Sequence, residues 1–354
     1  MKWYNPQSEP FKIYGLPFYE TDKLYRRLPS APKRTLPEAV DGLANETAGG
    51  QIRFHAKLKE LAIQVSVASK KLFFDGYDAP HLSTTSKIGF DFYASVDGGD
   101  YIYITTATDF NESNLYYESK LLNLDEETEI DVLLYFPLYG AIDKVMLGFD
   151  DEAEISIHQK TFKTDKKLVI YGGSIQQGAC ASRPGMVDSN ILSRMLDAEV
   201  YNLGFNSSGK AEEEVADVIS DIRNVGAYII STEGNCPDGD WICEKLPVFV
   251  KTLTKNNPSV PVVIMPFPKN GGCIINPKKE EARLDKLKAQ MDVVSSLQNE
   301  GYDNVTLFLQ DDYIEQGFEG KEMWHEVFSD GLHKTDLGYY SVSKGLYNLI
   351  NNNF

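Results

Sequence analysis

The fold is decided by the stretch Leu168-Val169-Ile170-Tyr171-Gly172-Gly173-Ser174-Ile175-Gln176-Gln177-Gly178. Its first four residues predict a buried strand, and the glycines that follow predict a tight turn into the start of a helix. Ser174 is then expected at the carboxyl end of the strand, where glycines allow backbone and substrate to approach closely. This placement suits a nucleophilic serine, although a glycine turn whose serine only caps a helix would show the same pattern.

Two other glycine-rich motifs fit this turn less well. A phosphate-binding P-loop requires Lys followed by Ser or Thr, and that pair is missing. The Gly-x-Ser-x-Gly turn of the α/β-hydrolases requires a glycine where Gln176 stands. The turn alone therefore leaves both a serine nucleophile and a structural turn open.

Strands and helices alternate after this stretch. Apolar segments predict four further strands, at Val200 to Leu203, Ala227 to Ile230, Val262 to Met265 and Val305 to Leu309. Apolar residues at helical spacing lie between them, in the sets Val215, Val218, Ile219, Ile222; Ile242, Leu246, Phe249, Val250, Leu253; and Leu284, Leu287, Met291, Val294. The alternation predicts an α/β fold with a flavodoxin-like, doubly wound sheet of five parallel strands, which binds ligands beyond the carboxyl ends of its strands.

The first part of the chain has a different pattern, in which apolar and polar residues alternate. Leu61 to Val67 and Ile130 to Phe136 have a period of two, and Val96 to Asp100 predicts a hairpin turn. Many short strands without a convincing helix predict an antiparallel β-sandwich of jelly-roll type, after an irregular lead-in over residues 1–50. We therefore predict two domains, a β domain at 1–162 and an α/β domain at 163–354.

Composition limits the partners of the protein. The chain has 354 residues, with 35 Lys plus Arg and 52 Asp plus Glu, and a formal charge of −17. This charge argues against nucleic acid and anionic membranes as partners and favours a soluble protein that acts on small molecules. The beginning of the sequence lacks the apolar core of a signal peptide, and the cysteines (Cys180, Cys236, Cys243 and Cys273) form no Cys-x-x-Cys pair. We therefore expect a cytoplasmic protein with reduced thiols.

A second group of reactive residues lies in Ser329-Asp330-Gly331-Leu332-His333-Lys334-Thr335. The spacing of Asp330 and His333 allows the carboxylate to reach the imidazole, fix its tautomer and stabilise its cation. Thr335 is a suitable helix cap, and the packed side of the following helix is predicted to include Leu337, Tyr340, Leu346 and Ile350. His325 is the competing histidine, and a solvated loop histidine is the competing interpretation. With Ser174, the pair completes the order Ser, Asp, His of a catalytic triad.

Two loops after the second and third parallel strands offer hydrogen-bond donors. They are Asn202-Leu203-Gly204-Phe205-Asn206-Ser207-Ser208-Gly209, through its backbone, and Ser231-Thr232-Glu233-Gly234-Asn235-Cys236-Pro237, through the amide of Asn235. The oxyanion of a tetrahedral intermediate needs such preorganised donors. Each loop alone has an ordinary loop composition, but neighbouring strands bring both loops to the edge where Ser174 is expected.

Together these segments resemble the four sequence blocks of the SGNH hydrolases, or GDSL-like esterases, at Ser174, Ser207, Asn235 and Asp330 with His333. The segments from Tyr171 to Gly178 and from Ala181 to Met186 resemble one bacterial subgroup more narrowly. That subgroup has an N-terminal β domain with a Gly-x-Asp-Leu-Tyr motif, here Gly89-Phe90-Asp91-Phe92-Tyr93, and Thr47 to Phe54 resembles the opening strand of that domain.

Three positions depart from the family pattern. Gly173 replaces an aspartate, as is common in the subgroup. Ser207 aligns with a glycine whose N–H binds the oxyanion, a role that we expect Ser207 to keep if it avoids a positive φ, with Gly209 as the fallback. Ser231 stands where relatives often carry an acid.

The resemblance implies a serine esterase that cleaves small acyl groups, such as O-acetyl groups, from carbohydrate or another polar alcohol through an acyl-enzyme. Ser174 is then the nucleophile, His333 the base and Asp330 its orienting acid, with oxyanion donors at Ser174, Ser207 and Asn235. No metal or organic cofactor is expected. A non-catalytic carbohydrate- or ligand-binding protein on the same fold and a metal-dependent phosphohydrolase remain the alternatives.

Overall fold

The computed structural model describes residues 1–68, 79–109, 115–314 and 324–354. These residues form two compact units. The first unit comprises Met1–Ser30, Ala44–Lys163 and Ser182–Gly185, and the second comprises Ala31–Leu43, Thr164–Ala181 and Met186–Phe354. The first unit therefore includes the short segment Ser182–Gly185 from the second half of the chain, and the second unit includes Ala31–Leu43 from the first half.

In chain order, the strands are β1 (Lys2–Tyr4), β2 (Lys12–Tyr14), β3 (Gln51–Val67), β4 (Asp91–Ser95), β5 (Ile102–Thr106), β6 (Tyr116–Tyr135), β7 (Ile142–Phe149), β8 (Glu154–Ser156), β9 (Lys167–Gly172), β10 (Glu199–Gly204), β11 (Val225–Ser231), β12 (Val262–Ile264) and β13 (Val305–Leu307). The α-helices are α1 (Tyr19–Asp22), α2 (Glu38–Leu43), α3 (Thr84–Ile88), α4 (Ser174–Gln177), α5 (Asp188–Leu196), α6 (Glu213–Ser220), α7 (Gly239–Thr254), α8 (Gly271–Ile275), α9 (Pro277–Asn299) and α10 (Asp336–Ile350). Within the described residues, no helix is both long and apolar enough to cross a lipid bilayer.

The first unit is built on an antiparallel sheet with the strand order β1-β7-β3-β6-β4-β5, and β2 and β8 also pair with β3. The two longest strands, β3 and β6, pair along most of their length. Phe54 on β3 lies opposite Val132 on β6, and both side chains are fully buried in the same apolar core. The predicted antiparallel β architecture is therefore confirmed.

Three local predictions for this unit have different outcomes. The predicted turn from Val96 to Asp100 joins the paired strands β4 and β5, and Asp97 and Gly98 have φ values of 50° and 71°. The expectation of no helix is wrong, because the unit contains the short helix α3. Its N-cap residue Ser83 accepts the N–H of Ser86. The lead-in is also less irregular than predicted, since it contains β1, β2 and α1.

The Gly-x-Asp motif of the first unit binds the short segment Ser182–Gly185. Asp91 is fully buried, and its Oδ2 accepts hydrogen bonds from Arg183 Nη1 at 2.7 Å and from the Gly185 N–H at 2.6 Å. Burial raises the pKa of Asp91, although the charge of Arg183 and the hydrogen bonds oppose this rise. The Gly-x-Asp motif and the segment from Ala181 to Met186, which resemble the subgroup separately, are therefore joined by an ion pair.

The second unit contains a parallel sheet with the strand order β10-β9-β11-β12-β13, as predicted for a flavodoxin-like fold. The carboxyl ends of its first three strands are in register, because Gly172 of β9 pairs with both Gly204 of β10 and Ser231 of β11. The loops that follow these strands therefore start at one level on the same edge of the sheet.

Two predicted helix faces are wrong in part, although Val294, Leu346 and Ile350 are buried as predicted. In α10 the buried side comprises Tyr339, Val342, Leu346 and Ile350, whereas Leu337 and Tyr340 are exposed. At about 100° per residue, Leu337 lies about 180° from Leu346, on the opposite face of the helix. In α9 Leu284 and Met291 are exposed, and the buried residues are Ala289, Gln290, Val293, Val294 and Leu297. The prediction used apolar residues alone to locate the buried face of α9, but that face includes the polar Gln290 and excludes Leu284 and Met291.

Candidate active site

Ser174 is the first residue of α4 and follows the end of β9 by two positions. Gly173 lies between them as the helix N-cap residue. A Cβ atom at Gly173 would lie only 2.3 Å from Nδ2 of Asn235. Glycine at this position therefore allows the Asn235 amide to reach the backbone beside the serine.

The imidazole of His333 lies against this serine. Ser174 Oγ is 2.9 Å from His333 Nε2, and His333 Nδ1 is 2.7 Å from Asp330 Oδ2. With its proton on Nδ1, facing the carboxylate, the neutral imidazole accepts the serine hydroxyl at Nε2. The three groups thus form a continuous hydrogen-bonded series in the geometry of a Ser-His-Asp triad.

A tight turn holds the aspartate and the histidine together. Asp330 Oδ1 accepts the backbone N–H groups of Leu332 at 3.0 Å and of His333 at 2.7 Å. The Ser329 N–H donates to the His333 carbonyl at 2.8 Å, which closes the turn. Partial burial raises the pKa of Asp330, but the hydrogen bonds and charge of His333 outweigh it, and the pKa lies below its ordinary value. Asp330 is therefore held as a carboxylate.

The competing histidine, His325, takes no part in this arrangement. Its side chain is 52% exposed, and its Nδ1 atom is 3.3 Å from Glu326. Its ring packs edge-on against Trp324, with 5.7 Å between the ring centroids. Of the two histidines near the carboxyl end, the structure brings His333 to Ser174.

Asn235 connects the two loops that were predicted to carry oxyanion donors. Its Nδ2 atom donates to the backbone carbonyl of Ser208 at 2.6 Å. Because an amide nitrogen has two hydrogens, the second can donate to a ligand oxygen at Ser174. The Asn235 amide and the Ser208 carbonyl thus meet beside Gly173, the residue before Ser174.

Ser207 lies in the left-handed region, so the condition set for its role as an oxyanion donor is not met. Its φ is 55°, and a non-glycine residue in this region costs about 1–2 kcal/mol. The positive φ does not remove its backbone N–H, which is the group that the oxyanion role requires. The fallback residue Gly209 has a φ of 73°, and a Cβ there would lie 2.0 Å from the Gly172 carbonyl oxygen. Gly209 therefore serves the close packing of the loop on β9.

A buried ion pair that was not predicted from the sequence lies beside the histidine. Lys334 Nζ lies 3.1 Å from Asp188 Oδ2 at the start of α5, and the side chains are 2% and 1% exposed. Ser343 Oγ donates to the other Asp188 oxygen at 3.2 Å. Burial lowers the pKa of Lys334 and raises that of Asp188, and the charge of each partner opposes these shifts. A lysine in a turn usually lies in solvent, so no feature of the sequence indicated this pair.

A tyrosine links this pair to the helix that carries the serine. The Lys334 ammonium lies 5.2 Å from the ring centroid of Tyr339. The Tyr339 hydroxyl lies 2.9 Å from the Ile175 carbonyl and 2.8 Å from the Ala179 carbonyl. Lys334, which follows His333, and Tyr339 of α10 are therefore neighbours, and Tyr339 holds the helix that begins at Ser174.

A small cavity of about 50 Å³ opens at the serine. Its described lining includes Ser174, Gly234 and Asn235 on the polar side and Phe267 and Leu332 on the apolar side. The arrangement offers an activated hydroxyl, a proton acceptor and an amide donor around one small volume. These are the groups needed for acyl transfer to a serine.

Two family models match parts of the chain. Residues 165–351 match the model of the GDSL-like Lipase/Acylhydrolase family, and residues 1–155 match the model described as the N-terminus of Esterase_SGNH_hydro-type. A search of curated proteins gave no match.

Solved structures resemble the chain over nearly its whole length. A protein of Bacteroides ovatus described as a GDSL-like lipase is 28% identical, with a TM-score of 0.87 over 99% of this chain and 97% of that chain. The salicylyl-acyltransferase SsfX3 of a tetracycline biosynthetic pathway shares the fold at 15% identity and a TM-score of 0.70, over 98% of this chain and 96% of its own. A family two carbohydrate esterase from Clostridium thermocellum, solved with cellohexaose, shares it at 12% identity and 0.56, over 86% and 92%. The chain belongs to the GDSL-like lipase/acylhydrolase family and is a hydrolytic esterase.

Proposed function

We propose that Ser174, His333 and Asp330 are the catalytic triad of this esterase. Ser174 Oγ attacks the ester carbonyl while His333 Nε2 takes its proton, and Asp330 stabilises the resulting imidazolium. His333 then returns the proton to the leaving alcohol, and water hydrolyses the acyl-enzyme by the same route. The observation that carries this proposal is the 2.9 Å contact between Ser174 Oγ and His333 Nε2, with Asp330 at 2.7 Å from the other ring nitrogen.

The oxyanion is stabilised by the backbone N–H groups of Ser174 and Ser207 and by the side-chain amide of Asn235. Negative charge develops on the carbonyl oxygen in the tetrahedral intermediate, and fixed donors stabilise it more than they stabilise the substrate. The contact of Asn235 with the Ser208 carbonyl supports this assignment, because it holds the amide beside the loop that carries Ser207.

The substrate class is a short acyl ester, such as an O-acetyl group, on carbohydrate or another polar alcohol. The cavity of about 50 Å³ supports a short acyl group, since it has roughly a third of the ~150 Å³ volume of a cavity that holds benzene. The likeness in fold to a carbohydrate esterase solved with cellohexaose supports a carbohydrate alcohol. The formal charge of −17 supports a neutral rather than an anionic substrate.

The first experiment compares the hydrolysis of p-nitrophenyl acetate by the wild type, Ser174→Ala and the exposed-site control Ser259→Ala. We expect turnover in the wild type and the control, and only background in Ser174→Ala. A fluorophosphonate probe should label the peptide that contains Gly172 to Gly178. Equal background rates in all three proteins would instead favour a non-catalytic binding protein.

The second experiment addresses the acyl group and the alcohol. We expect kcat/KM for p-nitrophenyl acetate to exceed that for the octanoate by at least about tenfold, because the surplus methylenes would extend beyond this small cavity. Acetylated xylan and acetylated cello-oligosaccharides should release acetate. A preference for the octanoate would contradict the proposed substrate class while leaving the triad intact.

A further inference from the structure

Glu233 is a buried acid in the loop that carries Asn235, and it has no role in the triad. It follows β11 by two positions and precedes Asn235 by two. Only 2% of its surface is exposed. An acid at this depth requires partners, because a buried charge without compensation is strongly unfavourable.

The partners of Glu233 are uncharged donors. The Phe267 N–H donates to Oε1 at 2.6 Å, and the amide of Gln290 on α9 contacts Oε2. Phe267 also lines the cavity at Ser174. The side chain of Glu233 therefore joins the Asn235 loop, one wall of the cavity and α9.

Lys286, one turn before Gln290 on α9, binds the backbone of the same loop. Its Nζ donates to the Glu233 carbonyl at 3.2 Å and to the Cys236 carbonyl at 2.6 Å. These two carbonyls lie on either side of Asn235 in the sequence. Lys286 thus fixes the backbone from which the Asn235 amide projects.

The depth of Glu233 favours a neutral carboxyl group. A buried carboxylate requires a paired cation, and within the described residues no ion pair includes the Glu233 carboxyl group. The ammonium of Lys286 donates to the loop carbonyls. The Gln290 amide nitrogen, which contacts Oε2, is uncharged and also lies 3.3 Å from the Lys286 carbonyl.

We propose that Glu233 acts as a neutral carboxylic acid that positions the oxyanion donor Asn235, and that its ionisation releases this donor by drawing Lys286 away from the loop carbonyls. The inference rests on the proposed function of Asn235. Glu233 is a positioning residue in this account, since it acts on the reaction only through Asn235.

The charges around Glu233 set the pH at which this release occurs. Burial is the main cause that raises the pKa of Glu233 to about 8. The Phe267 N–H and the cations Lys286 and Arg283 of α9 lower this pKa, and Asp311 after β13 raises it. The raised pKa means that the folded loop favours the neutral form of Glu233. Its contribution to stability is complete below the ordinary pKa of Glu and is lost as the pH rises through about 8.

The test is the pH profile of kcat, from pH 6 to pH 9.5 on p-nitrophenyl acetate, with the Ser174→Ala rate subtracted. For the wild type we expect kcat to fall above about pH 8, with KM nearly unchanged. Glu233→Ala should lower kcat about 30-fold at pH 7. Glu233→Gln should recover most of that loss, because the amide can still bond to Gln290, and it should not show the alkaline fall.

Two further variants link the fall to Asn235. Asn235→Ala should lower kcat and remove the fall near pH 8, because the donor that ionisation releases is already absent. Arg283→Gln should move the fall to higher pH, because a neighbouring cation that favours the carboxylate is lost. An identical alkaline fall in the wild type, Glu233→Gln and Asn235→Ala would overturn the inference.

A failure of the proposed function has a different signature. Full turnover in Ser174→Ala would disprove the triad, whatever the pH profile of the Glu233 variants. If Glu233→Gln does not fold, infrared difference spectra of the wild type still test the titration. The carboxylic-acid carbonyl band should disappear as the pH is raised through about 8, and a band absent already at pH 7 would overturn the inference.

Discussion

The turn that carries His333 and the loop that carries Asn235 reach the same serine but are held by different chemistry. In the turn, Asp330 binds the imidazole directly, and the buried ion pair of Lys334 and Asp188 anchors the backbone. In the loop, the anchors are a buried acid with uncharged donors and a lysine bound to carbonyls. The first arrangement depends on keeping its charges paired, and the second depends on keeping one charge absent. Substitutions at the two places should therefore fail in different ways.

The largest expected effect is on the local partner of the histidine. Asp330→Asn removes the acceptor that fixes the Nδ1–H tautomer, and we expect kcat to fall about 10⁴-fold at pH 7. The matched control is Glu326→Gln, which alters the partner of the exposed His325 and should leave kcat within about twofold. Steady-state kinetics on p-nitrophenyl acetate measure both. A loss of less than about tenfold in Asp330→Asn would mean that the turn, not the carboxylate, orients the imidazole.

The ion pair of Lys334 and Asp188 should give the largest effect on stability. Asp188→Asn leaves Lys334 buried without its counter-charge, and we expect the free energy of unfolding to fall by about 3–5 kcal/mol. The double variant Asp188→Leu with Lys334→Met removes both charges and should recover much of this loss. Urea denaturation measures these changes. Asp292→Asn, in an exposed ion pair with Lys288, should change stability by less than about 0.5 kcal/mol.

This contrast also explains which parts of the site were predictable. Asp330 and His333 are three residues apart, so their contact is a local property that spacing predicts. The carboxyl ends of the strands follow from the alternation of elements, which brought Ser174 and Asn235 to one edge. Glu233 and Lys334 look like ordinary loop polar residues, and only the packing of α9 and α5 buries them. The buried face of α9 was mispredicted because it includes the polar Gln290.

A glycine beside the serine tests the position of the Asn235 amide. A Cβ at Gly173 would lie 2.3 Å from Asn235 Nδ2, so Gly173→Ala should displace the amide and lower kcat about 10²-fold. The control is Gly271→Ala, outside the described cavity lining, where a Cβ would have no heavy atom within 4 Å, and it should keep kcat within about twofold. Equal losses in both variants would mean that the loss does not come from the displaced amide. Thermal unfolding of each variant checks that the fold is retained.

The smallest expected effect concerns Ser207, whose φ of 55° is strained for a residue with a side chain. Ser207→Gly removes this strain of about 1–2 kcal/mol but adds flexibility to the unfolded chain that offsets about 0.4–1 kcal/mol. We therefore expect a net gain of about 0.5–1 kcal/mol in the free energy of unfolding, measured in urea, with kcat retained because the backbone N–H is unchanged. Gly209→Ala is the opposing control, since its Cβ would lie 2.0 Å from the Gly172 oxygen, and it should lower both stability and kcat. A loss of activity in Ser207→Gly would mean that the serine side chain, rather than its N–H, serves the site.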